Sequence, residues 1–217
     1  MNRFLPGPAV KPLLFALALL PFVWLLYAVL ADQLGANPAE ALVRATGDWT
    51  LRFLCLVLAV TPLRVLLDWP ALARWRRMLG LFVYFYAVLH LLSYAWFDMG
   101  FDLDDMVRDI AKRPFILVGF SALVLLTLLA ATSFKRAVRW LGAARWQALH
   151  RLVYAVAVLA VLHFFWMRAS KNNFAEVVVY ATILGLLLGW RLSRRVARRA
   201  SDRPPSRAGG SDAPARR

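Results

Sequence analysis

The chain has 217 residues, 61% of them hydrophobic, and a mean hydropathy of +0.59, against roughly 45–50% apolar residues in soluble domains. Its net charge of +15 raises nucleic-acid binding, but nine arginines follow Leu188 in a Pro/Gly/Ser/Arg-rich tail that cannot bury a core. That charge reads as a solvated tail beside an anionic membrane surface, with no nucleic acid involved. The lone Cys55 excludes an intramolecular disulfide, a CxxC redox or zinc motif, and an iron–sulfur cluster held by this chain alone.

Apolar runs occur at 13–30, 49–67, 79–97, 115–132, 149–167 and 174–192. Each is close to the roughly 20 residues needed to cross a hydrocarbon core of about 30 Å. The pattern predicts an all-α integral membrane protein, a six-transmembrane-helix bundle. Residues 1–12 precede it, 13–192 form the transmembrane domain, and 193–217 form a disordered basic tail. The first run is read as an uncleaved helix, because residues 28–33 offer no A-x-A cleavage site. The connections are short and leave no room for a folded extramembrane domain, and no internal repeat is evident beyond the helix alternation.

Lysine and arginine set the orientation. The side holding both termini and loops 68–79 and 133–149 carries 20 of the 27 Lys/Arg and only three acids, Asp68, Asp202 and Asp212. The other side carries 7 basic residues and 9 acids, including Asp98, Asp102, Asp104, Asp105 and Asp109. Both termini are therefore expected in the cytoplasm. Loop 98–114 is the largest outer feature, either a solvated acidic face or a docking face for a partner.

His90, His150 and His163 are the only histidines, and all lie within or at the edge of apolar runs. An ionisable group inside a membrane helix faces a partner within the bundle, and imidazole is the usual axial ligand of haem iron. His90 lies about 15 Å above Gly80, and His163 about 20 Å above His150, at 1.5 Å per helical residue. His90 and His163 thus reach comparable depths and can hold one non-covalent, six-coordinate b-type haem. His150 is offset from His163 by about 220° on an ideal helix, so the two do not share a face. Below His90, at His150's level, stand Arg76 and Arg77, whose planar forks suit haem propionates or a flavin phosphate. Proton relay and structural polar pairing remain open for these histidines. The aromatics around them (Tyr84, Tyr86, Tyr94, Trp96, Phe164, Phe165, Trp166) suit a macrocycle or an interfacial belt.

The runs Arg76-Arg77-Met78-Leu79-Gly80-Leu81, Leu89-His90-Leu91 and Ser93-Tyr94-Ala95 are familiar, as is Arg145-Trp146-Gln147-Ala148-Leu149-His150-Arg151-Leu152-Val153-Tyr154, followed by His163-Phe164-Phe165-Trp166. With Thr61-Pro62-Leu63-Arg64 and Thr132-Ser133, they make residues 10–192 resemble the MsrQ (formerly YedZ) family of the ferric-reductase-like transmembrane superfamily. The resemblance implies a bacterial inner-membrane six-helix bundle that binds haem b, with FMN also attributed to it. Electrons would come from the quinol pool or a cytosolic flavin reductase. They would pass to a periplasmic molybdopterin partner, MsrP, which reduces methionine sulfoxide in oxidised proteins. His90, His150 and His163 each match a family histidine and inherit its haem-iron role. The second histidine that oxidase relatives carry on the third helix is missing here, as is a C-terminal FAD/NADPH domain. The expectation is an electron-transfer subunit, with the sulfoxide chemistry in its partner. The alternatives are a self-contained ferric- or oxygen-reducing cytochrome and a proton-coupled transporter, the latter opposed by the scarcity of acids inside the spans.

Overall fold

The computed structural model describes residues 9–169 and 172–201, so the expectations for residues 1–8 and 202–217 lie outside the described residues. Six stretches are long and apolar enough to cross a membrane. They comprise α1 (Val10–Leu30), α2 (Pro38–Leu66), α3 (Arg76–Phe97), α5 (Pro114–Ala131), α8 (Val153–Ala169) preceded by the short α7 (Ala143–His150), and α9 (Ala175–Ser201). Among the described residues three further helices lie in connections: a short 3-10 helix (Pro70–Arg74), α4 (Leu103–Lys112) and α6 (Lys135–Leu141). Among the described residues every regular element is helical, and the chain forms the expected six-helix membrane bundle.

Three boundaries differ from the hydropathy reading, each for a local reason. α2 begins at Pro38 rather than near 49, because Asn37 caps it. The Asn37 Oδ1 accepts from the Glu40 backbone N–H at 3.1 Å, and Pro38 takes the first helical position. At 1.5 Å per residue its 29 residues extend about 44 Å, beyond the hydrocarbon core. The acidic 98–114 loop contains α4, with Asp102 accepting from Asp105 N–H at 3.0 Å, acids in the first turn and Lys112 in the last. The sixth helix runs to Ser201, past the expected start of the tail at 193. Its arginines are good helix formers that favour the negative end of the dipole, and Arg194 and Arg195 stack over Trp190 and Tyr154.

The core is built where α2, α3, α5, α8 and α9 meet, around Leu54, Leu58, Val83, Tyr86, Val156 and Leu184. Phe53 stacks on Tyr86 with ring centroids 5.1 Å apart and planes 11° from parallel. Two prolines interrupt helical ladders, and each gap has a partner. Pro21 sits inside α1, where the fully buried Tyr86 of α3 inserts its hydroxyl, donating to Ala18 C=O at 2.9 Å and accepting from Phe22 N–H at 3.1 Å. Pro62 removes the N–H that would have served Leu58 C=O four residues earlier. The buried Arg191 of α9 supplies that donor, and its other terminal nitrogen donates to Tyr154 Oη at 2.9 Å. One guanidinium thus ties α2, α8 and α9 together.

Tyr86→Phe leaves the two α1 backbone groups without their bridge. We expect a stability loss of about 1–3 kcal/mol with the fold retained, measured as a lowered thermal midpoint in detergent and unchanged helical circular dichroism.

Candidate functional site

His90 and His163 are held in the same way. His90 Nδ1 lies 2.9 Å from the Val43 carbonyl oxygen of α2. His163 Nδ1 lies 2.7 Å from the Phe115 carbonyl oxygen of α5. A carbonyl only accepts, so each Nδ1 carries the proton and donates it, and each Nε2 presents its lone pair. That is the tautomer of a metal-bound histidine whose second nitrogen is oriented by a backbone acceptor. Four residues beyond each carbonyl is a glycine against which the ring lies. A Cβ on Gly47 would stand 3.2 Å from His90 Cε1, and one on Gly119 only 2.8 Å from His163 Cε1 and Nδ1. The unit of carbonyl, glycine and histidine therefore occurs twice, as Val43/Gly47/His90 in the α2–α3 pair and as Phe115/Gly119/His163 in the α5–α8 pair. This internal repeat was not seen in the sequence, although Gly47–His90 and Gly119–His163 have nearly equal separations.

The two rings face one cavity of about 510 Å³, within the size range of cofactor sites. Their centroids are 6.1 Å apart and their planes 76° from parallel. A metal atom held by both Nε2 atoms at about 2 Å, each nitrogen about 1 Å from its ring centre, would require centroids about 6 Å apart. The residues present fit a bis-imidazole iron site. Leu54, Leu126 and Val156 of the core close the cavity floor. Its mouth, at the acidic end, is lined by Arg44, Arg113 and Arg168. These pair with Glu40, Asp109 and Glu176, the second at 2.8 Å. Tyr94, one turn beyond His90, donates to Asp109 at 2.8 Å and so fastens α4 to the cavity wall. Nearby, burial raises the Asp98 carboxyl above its ordinary range, Arg113 opposes the shift, and Asp109 adds to it.

His150 stands apart, at the basic end of the bundle, and does not line this cavity. Its Nε2 lies 3.3 Å from Thr132 Oγ1, and its ring lies over Trp146 with centroids 4.1 Å apart. Trp146 in turn donates to Thr132 C=O at 2.9 Å. The Thr132 hydroxyl proton is directed at Leu128 C=O at 2.8 Å, so the contact places the His150 proton on Nε2, the opposite tautomer from the other two. Between His150 and His163 the helix is broken at Arg151–Leu152, where Arg151, Leu152 and Tyr154 N–H each bond three residues back. Three 3-10 steps of about 120° rather than 100° carry the 220° offset to about 280°. Arg76 is near enough to His150, Arg64 and Arg191 for their charges to interact, and Arg76 and Arg77 are both exposed on the first turn of α3. Neither lines the His90–His163 cavity. Arg191 was not singled out in the sequence, although Pro62 marks the carbonyl that needs it. Its buried Nε–H has no partner among the described residues.

The family described as "Ferric reductase like transmembrane component" matches residues 46–161, a stretch that includes Gly47, His90, Gly119 and His150. Similar relatives bear the name protein-methionine-sulfoxide reductase heme-binding subunit MsrQ. The protein of Polaromonas naphthalenivorans is 73% identical over 190 residues, covering 88% of this chain and 87% of its own. That of Herminiimonas arsenicoxydans is 54% identical, covering 87% and 88%. The Rhodospirillum rubrum protein is 50% identical, covering 88% and 91%. No solved structure matches the chain.

The close approaches predict an order of effects. Gly119→Ala displaces the His163 ring and is expected to weaken haem uptake by about tenfold or more. Gly47→Ala, with tenths of an ångström more room, has a smaller effect. Haem titration of the purified apoprotein variants checks the order.

Proposed function

The chain belongs to the MsrQ family of ferric-reductase-like transmembrane components, and on that premise we propose that it is the haem-binding, electron-transferring membrane subunit of a methionine sulfoxide reductase system. The observation that carries this reading is the His90–His163 pair: two imidazoles of matching tautomer, 6.1 Å apart, facing one cavity. Haem b, when bound, supplies reversible one-electron chemistry at that depth. The chain's own residues do the rest. Val43 and Phe115 carbonyls hold the imidazoles as neutral ligands and strengthen them as donors. Leu54, Leu126 and Val156 close the floor with apolar surface. Arg44, Arg113 and Arg168, already gathered at the mouth, are placed to meet the propionates.

Electrons enter from the quinol pool or from a cytosolic flavin reductase, and leave at the acidic end to MsrP, the periplasmic molybdopterin partner. Sulfoxide reduction takes place in that partner, and this chain provides no catalytic residue for it. The protein lies in the bacterial inner membrane with both termini in the cytoplasm, in keeping with its basic end. FMN belongs at that end. The buried Arg191, whose Nε–H has no partner among the described residues, suits its phosphate together with Arg76, close enough for their charges to interact, and Arg77, next to Arg76 in the chain. His150, fixed by Thr132 and Trp146, lines that level rather than ligating iron with His90 or His163.

A dithionite-reduced minus oxidised spectrum tests the assignment. Wild type is expected to show a b-type band, which His90→Ala and His163→Ala each remove and His150→Ala keeps. A wild-type spectrum in both outer-site variants refutes the pairing. Reduction of ferric ions or oxygen by the purified subunit at rates matching its delivery to MsrP favours a self-contained cytochrome instead.

A further inference from the structure

A second concavity lies between α1 and α2. Leu17, Leu20 and Trp24 of α1 line it, and Trp49, Asp48 and Arg52 of α2 form its inner wall. Its volume is about 520 Å³. The α1 residues are about half exposed, and in a membrane that exposure faces lipid. The opening is therefore reached sideways from the bilayer. Asp48 is half-buried and lines both this groove and the His90–His163 cavity. Gly47, the residue before it, is the one packed against His90.

A carboxylate and a guanidinium are costly inside a membrane and are found where they serve a ligand or a relay. Arg52 is held over the Trp49 ring at 4.6 Å and donates from Nε to Tyr180 Oη at 3.3 Å, which leaves its terminal nitrogens for other acceptors. The groove thus offers a flat aromatic and aliphatic slot with one strong acceptor and one strong donor at its wall. An acyl chain would engage neither polar group. A phosphate headgroup would meet Arg52 but also the negative charge of Asp48. A hydroquinone ring suits both: one hydroxyl donates to the carboxylate, and the other oxygen accepts from the guanidinium.

We propose that the α1–α2 groove is the binding site for a membrane-dissolved quinol, with Asp48 as its proton acceptor and Arg52 and the two tryptophans as its clamp. The inference rests on the haem reading of the neighbouring cavity and gives it an entry point. The quinol loses two protons and two electrons to become the quinone. A haem held by His90 and His163, in the cavity that shares Asp48 as a wall, would take up those two electrons one at a time in successive turnovers. Each proton goes first to the Asp48 carboxylate and then, through the cavity that Asp48 also lines, toward its mouth at the acidic end.

The test uses the full-length chain in phosphatidylcholine/phosphatidylglycerol nanodiscs and an azido-ubiquinone of short tail as the probe. Photolabelling is expected to mark peptides covering residues 17–24 and 45–52. Asp48→Asn is expected to weaken labelling about tenfold or more. Leu20→Trp fills the slot and abolishes labelling while keeping the b-type spectrum, since Leu20 does not line the haem cavity. Labelling confined to other helices, or equal labelling of wild type and both variants, overturns the proposal. Labelling is scored without haem, so loss of the b-type band in wild type counts against the haem reading alone. Stopped-flow reduction by decylubiquinol then connects the two: slowed reduction in Leu20→Trp with unchanged reduction by dithionite supports the groove, and unchanged quinol reduction refutes it.

Discussion

Two hydrogen bonds organise this bundle, from His90 Nδ1 to Val43 C=O and from His163 Nδ1 to Phe115 C=O. In lipid, a histidine side chain must find a partner for its N–H, and a helix carbonyl is available only if the ring can come close to the helix. Gly47 and Gly119 allow that approach. The bond does two things at once: it satisfies the buried donor and it decides which nitrogen keeps the lone pair. Helix pairing and ligand chemistry are therefore the same constraint. Loosening either helix pair disturbs the tautomer, and changing the tautomer removes a contact that holds the pair.

The bundle's two ends divide the remaining polar chemistry. At the acidic end, arginines already balanced by carboxylates ring the cavity mouth, and Tyr94 fixes the short α4 to the wall through Asp109. At the basic end, Arg191 is buried with one N–H that has no partner among the described residues, while His150 is stacked on Trp146 and bound to Thr132. Among the described residues, positive charge is paired with carboxylates at the mouth and has no ion pair at the opposite end. That asymmetry is the reason the two levels are suited to different groups.

Much of the architecture was legible because lipid imposes a coarse rule. Six runs of about 20 apolar residues gave the six spans, and counting 1.5 Å per residue placed His90 and His163 at matching depths. Hydropathy failed where charge interrupts a helix. Arg44, Asp48 and Arg52 dilute the start of α2, and the N-cap at Asn37 was passed over, so the stretch bearing Val43 and Gly47 was read as a connection. Periodicity could not find the break at Arg151–Leu152, which no proline or glycine announces. The glycine cradles were invisible for another reason: a glycine in an apolar helix has many uses, and only the facing ring tells which one applies. Arg191 was counted with the basic tail, because the carbonyl it serves is exposed by Pro62, 129 residues earlier in the chain.

The Pro62–Arg191 contact also bears on how the protein is made. The second span enters the bilayer with the Leu58 carbonyl stripped of its helical donor, and among the described residues the side chain that satisfies it, Arg191, arrives with the sixth span. Until then that turn carries an open polar gap in a medium without water. The early hairpins can insert and associate, yet their packing stays provisional until the last helix docks. A chain truncated before the sixth span keeps its other hydrophobic segments but lacks the guanidinium that closes this gap.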